Sequence, residues 1–411
     1  MIIRFNPQTK DLQRFQVGPI GPHLQSFAEA VAQQGYCDVN GSLKIRLVAK
    51  LDRWLQQRRV PLDQLNEAQV AAFLNARWKR LARHAGDQIT MTFLLRHLRQ
   101  IKVLPPSPLA NGSGVGLMVS EYQGYLQNER GLLASTIGKY LEVIHRFLSH
   151  CFPDKKLCLK KLQAGQIIDF VLQDSSKRGR HTAERSAAAL RSFLGFLFQK
   201  GRLAVDLAAA VPAIHRPHLA GLPRYLEAGE VEMVLRSCDR RRKIGKRNHA
   251  IFLLLARLGL RADEVTRLTL DDIDWRAGEL LIHGKGGHFD RLPLLQEVGQ
   301  AVADYLQNAR PVCSSRRLFI QCRAPMEGFA GPGCVSNLVR QALLRVNLSP
   351  AHRGAHVLRH SLATGMLRNG ASLAQIGQVL RHQLPQTTEI YAKVDFNALR
   401  ALALPWPGGE L

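Results

Sequence analysis

The sequence predicts a mainly α-helical protein with one small antiparallel β-sheet in its C-terminal domain. Apolar residues recur at helical spacing along most of the 411 residues. Stretches rich in proline and glycine interrupt the helices at 105–116 and 212–224, as linkers do. In the last third of the chain, short apolar segments flank a glycine-rich turn. We therefore expect an N-terminal helical domain at 1–104, a second helical domain at 117–211 and a C-terminal domain at 225–411.

A basic amphipathic helix is the clearest element of the first domain. Leu43, Leu47 and Leu51 lie on one apolar face, while the other face is basic and carries Lys44, Arg46, Lys50 and Arg53. Two further helices are predicted at 67–77 and 90–100.

The second domain repeats the helical pattern of the first. Phe147-Leu148 follows Trp54-Leu55 at an offset of 93 residues, and Phe170 follows Phe73 at an offset of 97. Chance matches between two unrelated helical modules would look similar, so this alternative stays open. If the repeat is real, the two basic modules suit binding along a DNA duplex, mostly through phosphate contacts.

The third domain is predicted to combine a buried helix with a hairpin. Its helix at 247–258 is almost wholly apolar and ends at Gly259, and a short helix follows at 263–268. Strands are expected at 279–283 and 291–294, with a tip formed by Gly284-Lys285-Gly286-Gly287. Further helices are predicted at 299–309 and 336–346.

The charge of the chain indicates a polyanionic partner. Its 57 Lys and Arg residues exceed its 32 Asp and Glu residues, which gives a formal net charge of +25. Nucleic acid is the first candidate for such a partner. A merely basic or ribosome-associated protein remains the alternative on charge alone.

Cysteine usage and hydropathy indicate an intracellular protein. The seven cysteines are scattered without a CxxC pair, which favours free thiols in a reducing compartment over disulfides or a zinc site. We see no secretory signal and no apolar run long enough to span a bilayer. The expected location is the cytoplasm, in association with the nucleoid.

Six side chains from distant positions form a candidate catalytic set: Arg261, Lys285, His356, Arg359, His382 and Tyr391. Guanidinium groups bind phosphate oxygens, imidazoles and ammonium groups move protons, and a phenol can act as a nucleophile. Together they predict covalent attack on a phosphodiester. Taken one at a time, each residue is more simply a surface or core side chain. His356 and His360 lack a third metal ligand, so neither a metal nor a cofactor is expected.

Three motifs resemble those of the tyrosine recombinases, also called the phage integrase family. They are Leu258-Gly259-Leu260-Arg261-Ala262-Asp263-Glu264-Val265, the His-x-x-Arg-His at 356–360, and Thr387-Thr388-x-x-Tyr391. The resemblance covers 225–394 closely, and 119–201 loosely as the family's helical, SAM-like core-binding domain. One departure is Arg381, where a glycine commonly precedes the histidine. Residues 1–104 lie outside the common two-domain pattern.

The resemblance implies a role for each candidate residue. Tyr391 would attack the scissile phosphate and form a 3′-phosphotyrosyl link. Arg261 and Arg359 would bind the non-bridging oxygens, and Lys285 would protonate the leaving 5′-oxygen. His356 and His382 would donate hydrogen bonds or move protons, with support from Glu264 and His360.

The resemblance also implies a homo-tetramer that joins two double-stranded DNA sites through a Holliday junction, without ATP or metal. Accessory proteins or sister recombinases are expected partners. The apolar tail at 396–404 would pack on a neighbouring protomer or on its own domain. The biological setting would be a bacterial integrase or the recombinase of a transposon or other mobile element.

Three questions stay open at this point. A type IB topoisomerase would share the chemistry, and a DNA-binding protein with a vestigial catalytic domain would share the charge. Residues 1–104 would be either a second duplex-binding module or a protein-interaction domain.

Overall fold

The computed structural model describes residues 18–79, 82, 84–105, 114–152, 158–178, 180–214, 224–284, 288–350 and 354–394. These residues are mostly helical and contain one three-stranded antiparallel sheet, which confirms the predicted fold class. The chain divides into two compact units, Lys102–Ala220 and the combination of Met1–Ile101 with Gly221–Leu411. Most of both predicted linkers and the whole tail at 396–404 lie outside the described residues.

The first set of helices comprises α1 (Leu24–Gln33), α2 (Asp38–Gln57), α3 (Glu67–Trp78) and α4 (Ala85–Gln100). The side chain of Asn66 caps α3 by accepting from the amides of Ala68 and Gln69. Helix α4 begins earlier than the predicted residue 90, because the side chain of His84 caps it by accepting from the Gly86 amide. The core of this set includes Phe27, Leu51 and Phe73.

The second compact unit contains α5 (Gly114–Gly124), α6 (Ala134–Cys151), α7 (Ala164–Lys177) and α8 (Arg180–Gln199). Tyr122, Phe147, Phe170 and Phe193 belong to its core. Its helices follow the same order as α1 to α4, and a 3₁₀ turn precedes the third helix in both sets, at Leu62–Gln64 and at Leu159–Lys161.

The C-terminal part begins with α9 (Ala228–Arg236), α10 (Lys243–Arg257) and α11 (Ala262–Arg267). The sheet follows, with β1 (Ile273–Asp274), β2 (Glu279–His283) and β3 (Phe289–Pro293) in that order. Strand β2 has the predicted bounds, whereas β3 begins two residues before the predicted 291, since Phe289 pairs with His283. Strand β1 was not predicted, because two residues are too short to show an alternating pattern.

Helices α12 (Gln296–Asn308), α13 (Pro332–Arg345), α14 (His356–Arg368) and α15 (Leu373–Val379) complete the fold, followed by a 3₁₀ turn at Glu389–Val394. None of the helices in the described part of the chain is long and apolar enough to cross a membrane.

Helix α10 is the centre of the C-terminal core. Every residue from Ala250 to Ala256 is buried, as the apolar run predicts. The helix is followed by Gly259, whose φ of 59° lies in the left-handed region. A Cβ at Gly259 would come within 2.8 Å of Leu380 Cδ2 and 3.0 Å of Leu362 Cδ2. Glycine is therefore required for the tight turn that places Arg261 beside α14 and α15.

Candidate active site

Arg261 is held at the start of α11 by a carboxylate three residues later. Its backbone amide donates to Glu264 Oε2 at 2.8 Å, and its guanidinium donates to Glu264 Oε1 at 2.7 Å. Burial alone would raise the pKa of Glu264, but Arg381 and Arg261 overcome this effect and lower it. Glu264 is therefore a buried anion that fixes an arginine whose side chain is still 34 % exposed.

Arg359 lies on α14 and is buried. Its guanidinium donates to the carbonyl oxygens of Gly259 and Leu380. Burial and the nearby guanidinium groups of Arg261 and Arg381 lower the pKa of Arg359 to about 9. At neutral pH the side chain stays protonated, and backbone carbonyls hold it without neutralising its charge.

His382 follows α15 and faces the same cations. Its Nδ1 lies 2.8 Å from Thr388 Oγ1, and Thr388 is buried. Burial and the charges of Arg359 and Arg261 lower the pKa of His382 to about 4. His382 is consequently a neutral imidazole at neutral pH, with its ring oriented by a threonine hydroxyl.

Tyr391 lies in the final 3₁₀ turn and is 1 % exposed. Its hydroxyl lies 2.9 Å from Nδ1 of His360, one turn along α14 from His356. The rings of His356 and His360 have centroids 6.1 Å apart. Burial raises the pKa of Tyr391 to about 12, although Arg359 and Arg261 both act to lower it. The phenol is therefore protonated at neutral pH.

This arrangement can bind and activate a phosphoryl group. Arg261 and Arg359 supply guanidinium groups that suit two oxygens of one phosphate. A neutral imidazole and a phenol lie beside them. No group of three or more His, Cys, Asp or Glu side chains able to hold a metal occurs among the residues that the structure describes.

Comparisons with known proteins identify the family to which this chain belongs. The sequence profile of the phage integrase family matches residues 224–398, and the profile of the phage integrase N-terminal SAM-like domain matches residues 119–201. A putative integrase/recombinase of Sinorhizobium fredii, y4rA, is 41 % identical over 399 residues, which is 97 % of each chain. This chain belongs to the phage integrase family. It is a tyrosine-type site-specific recombinase, as the three motifs predicted.

Other relatives match over two thirds of this recombinase. The tyrosine recombinase XerD of Listeria monocytogenes is 30 % identical over 287 residues, which is 67 % of this chain and 94 % of XerD. Among solved structures, XerH bound to its difH substrate has a TM-score of 0.52 at 20 % identity, covering 69 % of this chain and 83 % of XerH. A lambda integrase dimer bound to a core site has a TM-score of 0.51 at 17 % identity, with 67 % and 94 % coverage. These two similarities concern the fold alone.

The structure brings together most of the predicted site residues. Arg261, Arg359, His382 and Tyr391 converge, with Glu264 and His360 in direct contact with members of this group. His356 lies at the exposed edge. Lys285 lies outside the described residues, between the described ends of the β2–β3 hairpin. The catalytic roles of all these residues remain predictions.

Two residues of the recombinase site position other side chains, and the sequence analysis did not predict this for either of them. Thr388 orients His382, and its position inside the Thr387-Thr388-x-x-Tyr391 motif was the available signal. Arg381 was noted only as a departure from glycine, yet its guanidinium lies 2.8 Å from Glu264 Oε2. Its φ of 55° is in the left-handed region, which is a physical reason for glycine to be common there.

Proposed function

We propose that this recombinase cleaves and rejoins DNA at specific sites through Tyr391. The observation that carries the proposal is the position of the Tyr391 hydroxyl. It lies against an imidazole nitrogen and within the electrostatic influence of two arginines that a carboxylate and two carbonyls hold in place. The tyrosine oxygen would form a bond to phosphorus while the bond from phosphorus to the 5′-oxygen breaks, leaving a 3′-phosphotyrosyl link.

Arg261 and Arg359 stabilise the negative charge that grows on the phosphate during this step. Their contacts to Glu264 and to backbone carbonyls fix them before the substrate binds, so little reorganisation is needed. A donor of this kind is typically worth about 2.7–4 kcal/mol in the transition state.

A proton must move both when the bond from tyrosine to phosphorus forms and when the bond from phosphorus to the 5′-oxygen breaks. Tyr391 must lose its proton, and Nδ1 of His360 is positioned at 2.9 Å to accept it. A bound phosphate adds negative charge, while the two arginines favour the phenolate. Lys285 is the proposed acid for the leaving 5′-oxygen, and neutral His382 donates a hydrogen bond to a phosphate oxygen or moves a proton. His356 is proposed to assist from the edge of the site.

The covalent link conserves the energy of the phosphodiester, so rejoining needs neither ATP nor a metal. Attack by a different 5′-hydroxyl gives strand exchange, and two rounds pass through a Holliday junction. Double-stranded DNA and a homo-tetramer on two sites are the proposed partners. The net charge of +25 and the DNA present in the XerH and lambda integrase structures support duplex binding.

We also propose that residues 1–104 contain a second duplex-binding module that arose by duplication. Trp54 meets Phe73 edge-on at 6.0 Å, and the corresponding Phe147 meets Phe170 edge-on at 5.3 Å. Arg46, Lys50 and Arg53 are exposed along one face of α2. Loss of these charges should weaken DNA binding and reduce its salt dependence. Wild-type DNA binding by Arg46→Ala/Arg53→Ala would favour the protein-interaction alternative.

The test uses duplexes nicked beside candidate sites, in EDTA, with the products separated on denaturing gels. The nick lets the short 5′-hydroxyl fragment leave, so the covalent complex accumulates. We expect a protein–DNA adduct with the wild type and none with Tyr391→Phe, while DNA affinity is unchanged. Binding without any adduct in the wild type would favour a non-catalytic DNA-binding protein. Relaxation of one duplex without joining of two sites would favour a topoisomerase.

A further inference from the structure

Arg381 is an unusual residue in an unusual conformation. Its φ of 55° is one that residues with a Cβ rarely adopt, and its side chain is only 6 % exposed. Burying a long cationic side chain at a strained backbone position is unfavourable unless that side chain is well paired. Glycine at this position would avoid both the backbone strain and the burial of a charge. The contacts that the arginine side chain makes therefore indicate its role.

These contacts converge on Arg261. Nη2 of Arg381 lies 2.8 Å from Glu264 Oε2, the same oxygen that accepts from the Arg261 backbone amide. The carbonyl oxygen of Arg381 accepts from Arg261 Nη2 at 3.3 Å. Arg381 therefore holds Arg261 in two ways, through the shared carboxylate and through its own backbone.

A second nitrogen of the guanidinium lies near the β2–β3 hairpin. Nε of Arg381 is buried and has no hydrogen-bond partner in the part of the chain that the structure describes. The carboxylate of Asp290 on β3 lies beside it, with Oδ2 at 3.9 Å from Nε. That separation is an ion pair but is too long for a hydrogen bond. A small shift of β3 towards α15 would satisfy the orphaned N–H.

We propose that Arg381 is a positioning residue that fixes Arg261 against the scissile phosphate and couples it to the β2–β3 hairpin through Asp290. The proposal rests on the proposed strand cleavage. A shift of β3 that brings Asp290 within hydrogen-bond distance of Nε would give both Nε and Nη2 of Arg381 a carboxylate partner. The same guanidinium would then hold Glu264, and through it Arg261, together with strand β3.

The charge of Arg381 has a second effect that a merely structural role would not have. After burial, Arg359, Arg261 and His360, Arg381 also contributes to the lowered pKa of His382. Removing this cation lets the pKa of His382 rise, so the imidazole becomes protonated at a higher pH. If neutral His382 is the active form, the acid limb of the cleavage profile moves to higher pH.

The main variant is Arg381→Gly in the full chain, assayed by single-turnover cleavage of the nicked duplex. Glycine relieves the strained backbone conformation, which offsets part of the stability that is lost when the buried Glu264 loses one of its two arginine partners. We expect cleavage to slow by up to about a hundredfold, as for a displacement of about 1 Å in a catalytic group. DNA affinity should change less than twofold, and the acid limb should shift upward. Arg381→Lys should recover part of the rate, because it restores a cation beside Glu264.

Asp290→Asn tests the coupling without touching the strained position. Alone it should slow cleavage, whereas in the Arg381→Gly background it should add little, since the contact is already gone. The matched control is Arg316→Ala, which breaks an exposed arginine–carboxylate pair with Asp271 in the same domain. That variant should cleave at the wild-type rate.

Wild-type cleavage and an unchanged pH profile in Arg381→Gly would overturn the proposal, as would strictly multiplicative effects of the two substitutions. If Arg381→Gly fails to fold, a wild-type rate in Asp290→Asn overturns the coupling. A wild-type protein that forms no adduct would instead contradict the proposed function, so the two failures are distinguishable.

Discussion

Two hydrophobic clusters of very different size support the two sides of the active site. The large cluster of the C-terminal domain includes residues 250–256 in the second half of α10 and the start of α14, and it ends beside the arginines. The small cluster consists of Ala363, Ile376, Leu380 and Tyr391, with partly buried neighbours. Residues next to the two arginines in the chain belong to the main core, although the guanidinium groups also donate to the carbonyls of Leu380 and Arg381, whereas the tyrosine ring packs in the small cluster.

This difference matches what the two sides must do. The guanidinium groups need a fixed geometry around a transition state, and a large, close-packed core provides it. The phenol is 1 % exposed, so the proposed attack on a phosphate requires the turn around it to open. Segments with few buried contacts open at low free-energy cost. We therefore expect the turn that carries Tyr391 to open at a lower free-energy cost than the segments that carry Arg359 and Arg261.

The largest expected effect comes from replacing the two arginines with lysine. Arg359→Lys and Arg261→Lys should each lower the cleavage rate by about 10²–10³-fold, because the loss of an oxyanion donor has this magnitude. Only Arg359→Lys should also lower the melting temperature, since its carbonyl partners Gly259 and Leu380 are buried with it. Single-turnover cleavage and thermal denaturation check both parts. Equal losses of stability would contradict the difference in burial between Arg359, which is 3 % exposed, and Arg261, whose side chain is 34 % exposed.

Truncations in the two clusters should separate global from local stability. Leu254→Ala in α10 should lower the free energy of unfolding by about 2–5 kcal/mol, as for a fully buried leucine. Ile376→Ala should cost less and should speed hydrogen exchange mainly in residues 373–394. Urea denaturation and exchange mass spectrometry measure the two effects. Uniformly faster exchange in Ile376→Ala would mean that the satellite and the main core open as one unit.

The sequence could predict the elements and motifs whose signal is local. Strand β2 was predicted with its observed bounds, and the motif residues Arg261, Arg359, His382 and Tyr391 do converge. The pairing of Arg381 with Glu264 joins positions 117 residues apart and depends on a left-handed backbone conformation. Neither the long-range ion pair nor the left-handed conformation produces a periodic pattern in the sequence, so neither could be predicted from it.

The smallest expected effect concerns alkaline pH. The pKa of Tyr391 is raised to about 12 in the folded chain, above the value near 10 of an unfolded tyrosine. The folded state therefore keeps this proton longer, so its stabilising contribution is complete below about pH 10 and is lost as the pH rises towards 12. Compared with Tyr391→Phe, the wild type should lose more unfolding free energy between these values. If the unfolding free energies of the wild type and Tyr391→Phe, measured by urea denaturation, change with pH in parallel, the phenol of Tyr391 is already exposed in the folded protein.

The most direct test of the account is to identify the amino acid that is linked to DNA. The adduct formed on a nicked duplex is digested with protease and nuclease, and the peptide that carries the nucleotide is sequenced by mass spectrometry. We predict a 3′-phosphate on Tyr391, formed in EDTA and lost in Tyr391→Phe. A nucleotide on another residue, or an adduct that persists in Tyr391→Phe, would contradict the assignment of Tyr391 as the nucleophile.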